Sequence, residues 1–362
     1  MAELATAIPG GEILLFEDGP AVDLFRDRGI RVDVHPMSRK VLGNSKESGM
    51  PGPGLAVGVL AQAFQLSRRL RRYDVVHCNN QKAWVLGAFA SALARRPVVW
   101  HLHDILTREH FSRSKIRLVV ALSRWRGAKV VANSRASADA FVAAGGRPDR
   151  VEVLHNPVDP GPFQRAAPIE GLRAELGCVD QPLWAVFSRL ASWKGQHVAI
   201  QALAQVPRGH LALVGAPFFG EEAWEKHLRG MVDQLGLRDR VHFLGFRKDV
   251  PQLLATVDGA IHASTAAEPF GLVILEAQLA GKPVVATAAG GALEIVHPGL
   301  DGWLVPPGDV RALASVLQSW LEDPAAANSI GRNAAGLARQ NFDADRLRGR
   351  FRQILEEEGK ST

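Results

Sequence analysis

Apolar residues along the chain gather into short, unbroken runs rich in Val, Ile and Leu, separated by longer stretches in which apolar and polar positions alternate with helical period. In the first half the runs cover 12–17, 31–37, 75–80, 98–103, 129–134 and 151–156. In the second half they cover 183–189, 210–216, 241–246, 259–264, 283–287 and 302–305. Continuous rather than alternating hydrophobicity is what strands buried on both faces look like. The stretches 195–205, 221–235 and 310–321 predict helices between them. The chain therefore reads as a β-α-β-α series, which implies α/β architecture with parallel sheets covered on both faces.

Punctuation divides this series. Asn156-Pro157-Val158-Asp159-Pro160-Gly161-Pro162 places three prolines and a glycine in seven residues, removing backbone donors and breaking helix and sheet alike. At 362 residues the chain is long for one domain. We read two doubly wound, Rossmann-like domains, 1–157 and 158–340, with a C-terminal helix over 341–362 packing back on the first. Such domains face each other across a cleft at the carboxyl ends of their strands, where ligands of open α/β sheets bind. The segment 43–54 lacks periodicity and reads as a mobile loop.

Composition adds limits. Hydrophobic residues make up 47% of the chain, enough for two cores. No run approaches the roughly 20 apolar residues of a membrane span, and the start lacks a basic stretch followed by an apolar one. Two distant cysteines, Cys78 and Cys178, argue against a disulfide framework or a zinc site and favour a reducing cytosol. The net charge is +6, and part of the excess is concentrated at Arg68, Arg69, Arg71 and Arg72 and over Arg113, Lys115, Arg117, Arg124 and Arg126. Such patches fit an anionic membrane surface, a negatively charged substrate, or a solvated helix face. No nucleic-acid-binding motif accompanies them, so nucleic acid is not an expected partner. No G-x-G-x-x-G follows a strand, which excludes a nicotinamide-dependent dehydrogenase.

The segment most informative about chemistry is Ser264-Thr-Ala-Ala-Glu268-Pro269-Phe270-Gly271-Leu272-Val-Ile-Leu-Glu276. A strand ends near Ser264 and a helix begins around Gly271. The amides of Phe270, Gly271 and Leu272 then sit at a helix N-terminus, which favours an anionic phosphate. Glu276, one and a half turns in, is placed to accept from ribose hydroxyls, and Glu268 is expected at the loop tip facing the cleft. Taken alone, both are equally well ordinary surface glutamates. In Arg189-Leu-Ala-Ser-Trp193-Lys194-Gly195, two cations lie on a strand-to-helix turn aimed at the same edge, suited to neutralising a diphosphate.

Together these motifs resemble glycosyltransferase family 4, whose members have the GT-B fold. The resemblance spans nearly the whole chain and includes Val214-Gly215, Phe243-Leu244-Gly245-Phe246, Gly290-Gly291 with Glu294, and Asp301-Gly302. It implies a retaining transferase that uses a nucleoside-diphosphate sugar as co-substrate and no metal or other cofactor. Arg189 and Lys194 would stabilise the leaving diphosphate, the amides at Phe270–Leu272 would hold phosphate, and Glu276 the ribose. Glu268 would contact the transferred sugar, and the base would lie near Phe246 and Arg247. In the first half, His101-Leu-His103-Asp104 resembles the family's His-Asp element, with His103 beside the reacting centre. A buried histidine satisfied by the backbone is the alternative for His103. His101 is assigned to the opposite face with a structural role, while Asn133, Ser134, Asn156 and Pro157 are expected to shape the cleft wall and hinge.

One departure stands out. Relatives open with a strand, a Gly-Gly loop and a long helix before the run that begins at Glu12. Here residues 3–8 look like only the tail of that helix, so a βα unit of roughly 30 residues is expected to be missing. The chain as given is expected to be poorly active or poorly soluble, because the gap exposes apolar surface and strand edges. The expected acceptor is a sugar or lipid-linked hydroxyl of surface polysaccharide or glycolipid synthesis, used in the cytoplasm with peripheral contact at the inner membrane face. A small soluble acceptor, or a non-catalytic nucleotide-sugar-binding remnant, are the alternatives.

Overall fold

The computed structural model describes residues 2–8, 10–37, 53–218 and 220–360, and each of the twelve apolar runs forms a strand. Most strands end one to three residues before the run does. The residues left over, Phe246, His103, Arg189 and Ser264 among them, leave the ladder at its carboxyl edge and become loop. Of the loop expected over 43–54, residues 43–52 lie outside the described residues. Pro53 and Gly54 already open a helix.

The chain divides into two units, Met1–Pro157 with Ala344–Thr362, and Val158–Asp343. In the first, α1 (Ala2–Ala5), β1 (Glu12–Leu15), α2 (Pro20–Arg26), β2 (Arg31–Val34), α3 (Pro53–Leu70), β3 (Val76–Cys78) and α4 (Gln81–Ala94) follow in order. Then come β4 (Val98–Leu102), α5 (Arg113–Arg126), β5 (Lys129–Ala132), α6 (Arg135–Ala143) and β6 (Val151–Val153). All pairings are parallel, but the unit does not hold one continuous sheet. Among the described residues β1 pairs only β2, and β3-β4-β5-β6 form a separate sheet. Trp84 of α4 stacks on Trp100 of β4 with ring centroids 5.0 Å apart, and Phe141 closes the cluster edge-on. The indole N–H of Trp84 donates to the Val119 carbonyl at 3.1 Å, so this buried polar atom is satisfied.

The second unit holds β7 (Leu183–Phe187), α7 (Gln196–Leu203), β8 (His210–Val214), α8 (Glu222–Gln234), β9 (Val241–Gly245) and β10 (Gly259–His262). It continues with α9 (Leu272–Leu279), β11 (Val284–Thr287), β12 (Trp303–Val305), α10 (Val310–Glu322) and α11 (Pro324–Asn341). Its six strands lie in the order β12-β11-β10-β7-β8-β9, all parallel. β7, the first in sequence, is central, and chain order reverses between β7 and β10. That reversal is the topological switch point at which an open α/β sheet leaves a crevice. The Pro-rich linker holds one short helical turn, Gly161–Arg165, with Pro at its start. The last helix, α12 (Ala344–Lys360), belongs to the first unit. It places Phe351 edge-on to His77 and joins Arg350 to Glu152 at 2.6 Å.

Candidate active site

The second unit's site grows from the ends of the two strands at its switch point. After β7 the chain passes Arg189, makes a tight turn over Ser192–Lys194, and enters α7 through Gly195. Gly195 has φ +70°, and a Cβ there would lie 1.7 Å from the Ala263 carbonyl oxygen. Only glycine lets this turn sit directly on the end of β10. The Thr265 amide donates to the Trp193 carbonyl at 2.8 Å and ties the turn to the loop after β10. Gln196, fully buried, donates its side-chain amide to Ser188 Oγ and to the Arg189 carbonyl, each at 2.9 Å. The two cations flank one indole, with Lys194 Nζ 4.2 Å and the Arg189 guanidinium 5.7 Å from the Trp193 ring centroid. Each is matched by an acid: Arg189 Nη1 lies 2.8 Å from Glu221 Oε2 and Lys194 Nζ 2.5 Å from Glu268 Oε1. The Lys194 side chain is 14% exposed. It is therefore buried, yet against the site's own glutamate.

Glu268, expected at the loop tip facing the cleft, is largely buried, so it is not an ordinary surface glutamate. Its side chain is 16% exposed, and it accepts from Ser264 Oγ at 2.9 Å while its Oε2 lies 3.0 Å from His262 Nε2. Burial by itself raises this carboxyl, but the hydrogen bond and charge of His262 and the charge of Lys194 overcome it. They hold the group well below the usual carboxylate range, so it stays ionised. The backbone is pinned as well. The Gly291 amide donates to the Glu268 carbonyl at 2.8 Å, and a Cβ on Gly290 or Gly291 would meet Glu268 or Phe270 backbone within 2.6 Å. The Gly-Gly pair lets the segment after β11 run close beneath this loop.

Phe270 turns its ring into the core against Phe342, so only its backbone is left to face a ligand. Gly271 caps α9 at φ +95°, and the Ile274 amide is taken by the Gly271 carbonyl at 2.9 Å. The first-turn amides before it, at Leu272 and Val273, have no intrahelical acceptor and point along the positive end of the helix. Glu276 follows on the same helix, half-buried, with no ion pair among the described residues. Burial pushes its carboxyl up to about 7. A desolvated carboxylate of this kind gains from neutral hydroxyl donors more than an exposed one does. Phe246, just past β9, is 62% exposed and meets Phe218, itself 45% exposed, edge-on with centroids 6.3 Å apart. Arg247 is turned to Asp249 in a two-pronged pair of 2.8 and 2.5 Å. The second unit thus brings Arg189, Lys194, Glu268, the α9 start and Glu276 to one strand edge. Among the described residues no group of three or more His, Cys, Asp and Glu is placed to hold a metal ion.

In the first unit, His103 follows β4 with Nε2 2.9 Å from Asn79 Oδ1. Burial lowers its pKa to about 4, so the ring is neutral at ordinary pH. His101 does not lie on the opposite face. Residues two apart on a strand share a face, and the His101 and His103 rings stack with centroids 4.1 Å apart. Asn133 and Ser134 are buried at the start of α6, where Ser134 Oγ accepts the Ser137 amide at 3.0 Å and Asn133 Oδ1 accepts the Ser137 hydroxyl at 3.0 Å. They are capping residues. Sequence reasoning passed over His262, Ser264, Glu221 and Phe218. For the first two a signal existed, since alternate residues at a strand's carboxyl end point to the same side. For Glu221 and Phe218, on the segment after β8, there was none.

Comparison with known proteins places this arrangement. The profile described as "Glycosyl transferases group 1" matches residues 170–337, and that of "Glycosyltransferase Family 4" matches residues 22–161. HepE of Anabaena, in its crystal structure with UDP-glucose, is 40% identical, with 98% of this chain and 96% of that chain aligned at a TM-score of 0.87. The same protein has also been solved with UDP and with UDP and glucose. The 2-deoxystreptamine glucosyltransferase of Streptomyces kanamyceticus is 29% identical over 82% of this chain and 80% of its own. D-inositol 3-phosphate glycosyltransferase 1 of Catenulispora acidiphila is 29% identical over 78% and 73%.

Proposed function

We propose, for a chain that belongs to glycosyltransferase family 4 and has the GT-B fold of that family, transfer of a sugar from a uridine diphosphate sugar to a hydroxyl acceptor with retention of anomeric configuration. The observation that carries this reading is the convergence, at the carboxyl edge of β7 and β10, of Arg189, Lys194, the first turn of α9 and the half-buried Glu276. The likeness to HepE, crystallised with UDP-glucose, supports uridine as the base.

In the proposed mechanism the acids now holding Arg189 and Lys194 yield them to the incoming diphosphate. Glu268, kept ionised by His262 and held by the Ser264 hydroxyl, then receives the sugar's hydroxyls. Glu276 accepts the ribose hydroxyls, and Phe246 with Phe218 offers a face to the base. As the glycosidic bond to phosphate breaks, negative charge grows on the leaving diphosphate, and the two cations and helix amides stabilise it there. They supply what a metal supplies in other transferases, so no metal is required. The departing phosphate oxygen takes the acceptor's proton on the face the donor leaves, which keeps the configuration. Neutral His103 orients a hydroxyl by hydrogen bonding.

A lipid-linked acceptor at a membrane surface is supported by α3, where Val57, Leu60 and Phe64 are 66%, 50% and 53% exposed at helical spacing and Arg68 covers the Phe64 ring. No helix among the described residues is long and apolar enough to cross a membrane, so this contact is peripheral. Both cysteines are buried and free, which fits work in the cytoplasm. Incubating the protein with UDP-glucose and candidate acceptors, and following UDP release and the anomeric proton by NMR, tests the reading. An α-linked product from the α-linked donor supports it. A β-linked product rules out retention, and UDP binding without turnover on any acceptor leaves a nucleotide-sugar-binding remnant.

A further inference from the structure

In the first unit the loop after β3 and the segment after β4 are clasped at two successive points. β3 and β4 run parallel with Cys78 opposite Trp100, so both chains leave the sheet at its carboxyl edge. Asn80, with extended backbone, caps α4 and accepts the Ala83 amide at 2.8 Å. With Asn80 fixed as the cap, its neighbours on either side reach across to the β4 segment. Asn79 Oδ1 lies 2.9 Å from His103 Nε2, and Gln81 Nε2 donates to Asp104 Oδ2 at 3.3 Å. The plane of the His103 ring is set by fully buried His101, stacked on it at an interplanar angle of 21° and itself packed on Phe351 with centroids 5.8 Å apart. Among the described residues neither ring nitrogen of His101 has a hydrogen-bond partner, so this stacking fixes the plane of His103 and leaves its proton unassigned.

Burial keeps His103 neutral, so its ring carries a single N–H, and the group facing one nitrogen decides which of the two holds it. The amide oxygen of Asn79 can only accept, and it places the proton on Nε2. We propose that Asn79 is a positioning residue for the transfer reaction: it fixes His103 as the Nε2–H tautomer and leaves Nδ1 as a lone pair that accepts from a substrate hydroxyl. Among the described residues Nδ1 has no hydrogen-bond partner of its own. This rests on the transferase reading above and sharpens it, because the group that His103 orients must then donate a hydrogen. A neutral sugar hydroxyl does so. An ionised carboxylate or phosphate oxygen has no proton to give, and it would also meet the charge of Asp104 beside the ring. With the proton on Nδ1 the preference would reverse.

Nitrogen NMR of the histidine-labelled protein at pH 8, assigned by the signal lost in His103→Gln, reads which ring nitrogen carries the proton. UDP release from UDP-glucose reads turnover, and calorimetry reads UDP affinity. The parent is expected in the Nε2–H form. Asn79→Leu removes the acceptor; it is expected to populate both tautomers and to lower kcat roughly tenfold, the worth of one hydrogen bond, while UDP affinity stays within about twofold because the diphosphate residues lie on the second unit. Asn79→Asp keeps an acceptor, and should keep the Nε2–H form and return kcat to within about threefold of the parent. If Asn79→Leu does not fold, Asn79→Ala carries the same expectations. A parent in the Nδ1–H form overturns the proposal. So does unchanged tautomer or unchanged kcat in Asn79→Leu, or a loss that Asn79→Asp fails to restore. The spectrum needs no turnover: a parent that releases no UDP refutes the transferase reading, while its tautomer still supports or overturns the role of Asn79.

Discussion

Removing the charge of Glu276 should make the protein more stable and a worse nucleotide binder at once. Burial raises this carboxyl from 4.5 to about 7. At about 1.36 kcal/mol per pH unit, the ionised group costs the folded state up to about 3 kcal/mol. The sign follows from proton binding. Between pH 4.5 and 7 the folded chain holds a proton that the unfolded chain has lost, so stability falls as pH rises through that window and levels off above it. Glu276→Gln removes the cost without removing volume. The variant should match the parent near pH 4 and exceed it by up to about 3 kcal/mol at pH 8. Ribose hydroxyls donating to the carboxylate favour the ionised form, so UDP should bind the parent more weakly as pH drops below 7 and should bind the variant weakly throughout. Urea unfolding at pH 4, 6 and 8, with and without UDP, reads all of this. A stability difference independent of pH, or UDP affinity untouched by the substitution, refutes the reasoning.

Lys194→Ala leaves Glu268 buried without its cation; we expect a loss of about 2–3 kcal/mol in urea unfolding and no thermal stabilisation by UDP, with Glu268→Gln added to it restoring stability but not turnover. Gly195→Ala drives a methyl into the Ala263 carbonyl at a left-handed position, and should cost at least about 3 kcal/mol or prevent soluble expression. His262→Gln should lower turnover roughly tenfold while leaving UDP affinity within about twofold, because His262 positions Glu268 rather than touching nucleotide. Phe246→Ala should weaken UDP about tenfold in calorimetry, the worth of one stacked base, with little effect on stability because the ring is exposed.

Much of this was legible in the residues, for stated reasons. Runs such as 183–189 and 210–216 are apolar on both faces, and that alone specifies interior parallel strands. Their overrun was itself informative, since Arg189 and Ser264 sit where strand gives way to loop at the ligand-binding edge. Lys194-Gly195 announced a tight turn because glycine before a helix marks close backbone approach. Partners brought by tertiary contact were not legible. Nothing near Glu221 in sequence signals Arg189, thirty-two residues away, and nothing near Lys194 signals that Glu268 neutralises it. His101 was misplaced by counting alternation across one residue instead of two. In the first unit, among the described residues, β1 and β3 do not pair with each other.

The central claim is a diphosphate held at the β7–β10 edge by two cations and one helix start. Calorimetric titration with UDP and with uridine, on the parent and on an Arg189→Ala, Lys194→Ala double variant, isolates it. Charge-assisted contacts of about 1.5–3 kcal/mol each predict that UDP binds the parent at least about a hundredfold tighter than uridine, and that the double variant loses the difference. Equal affinities for UDP and uridine in the parent, or an undiminished preference for UDP in the double variant, would contradict it.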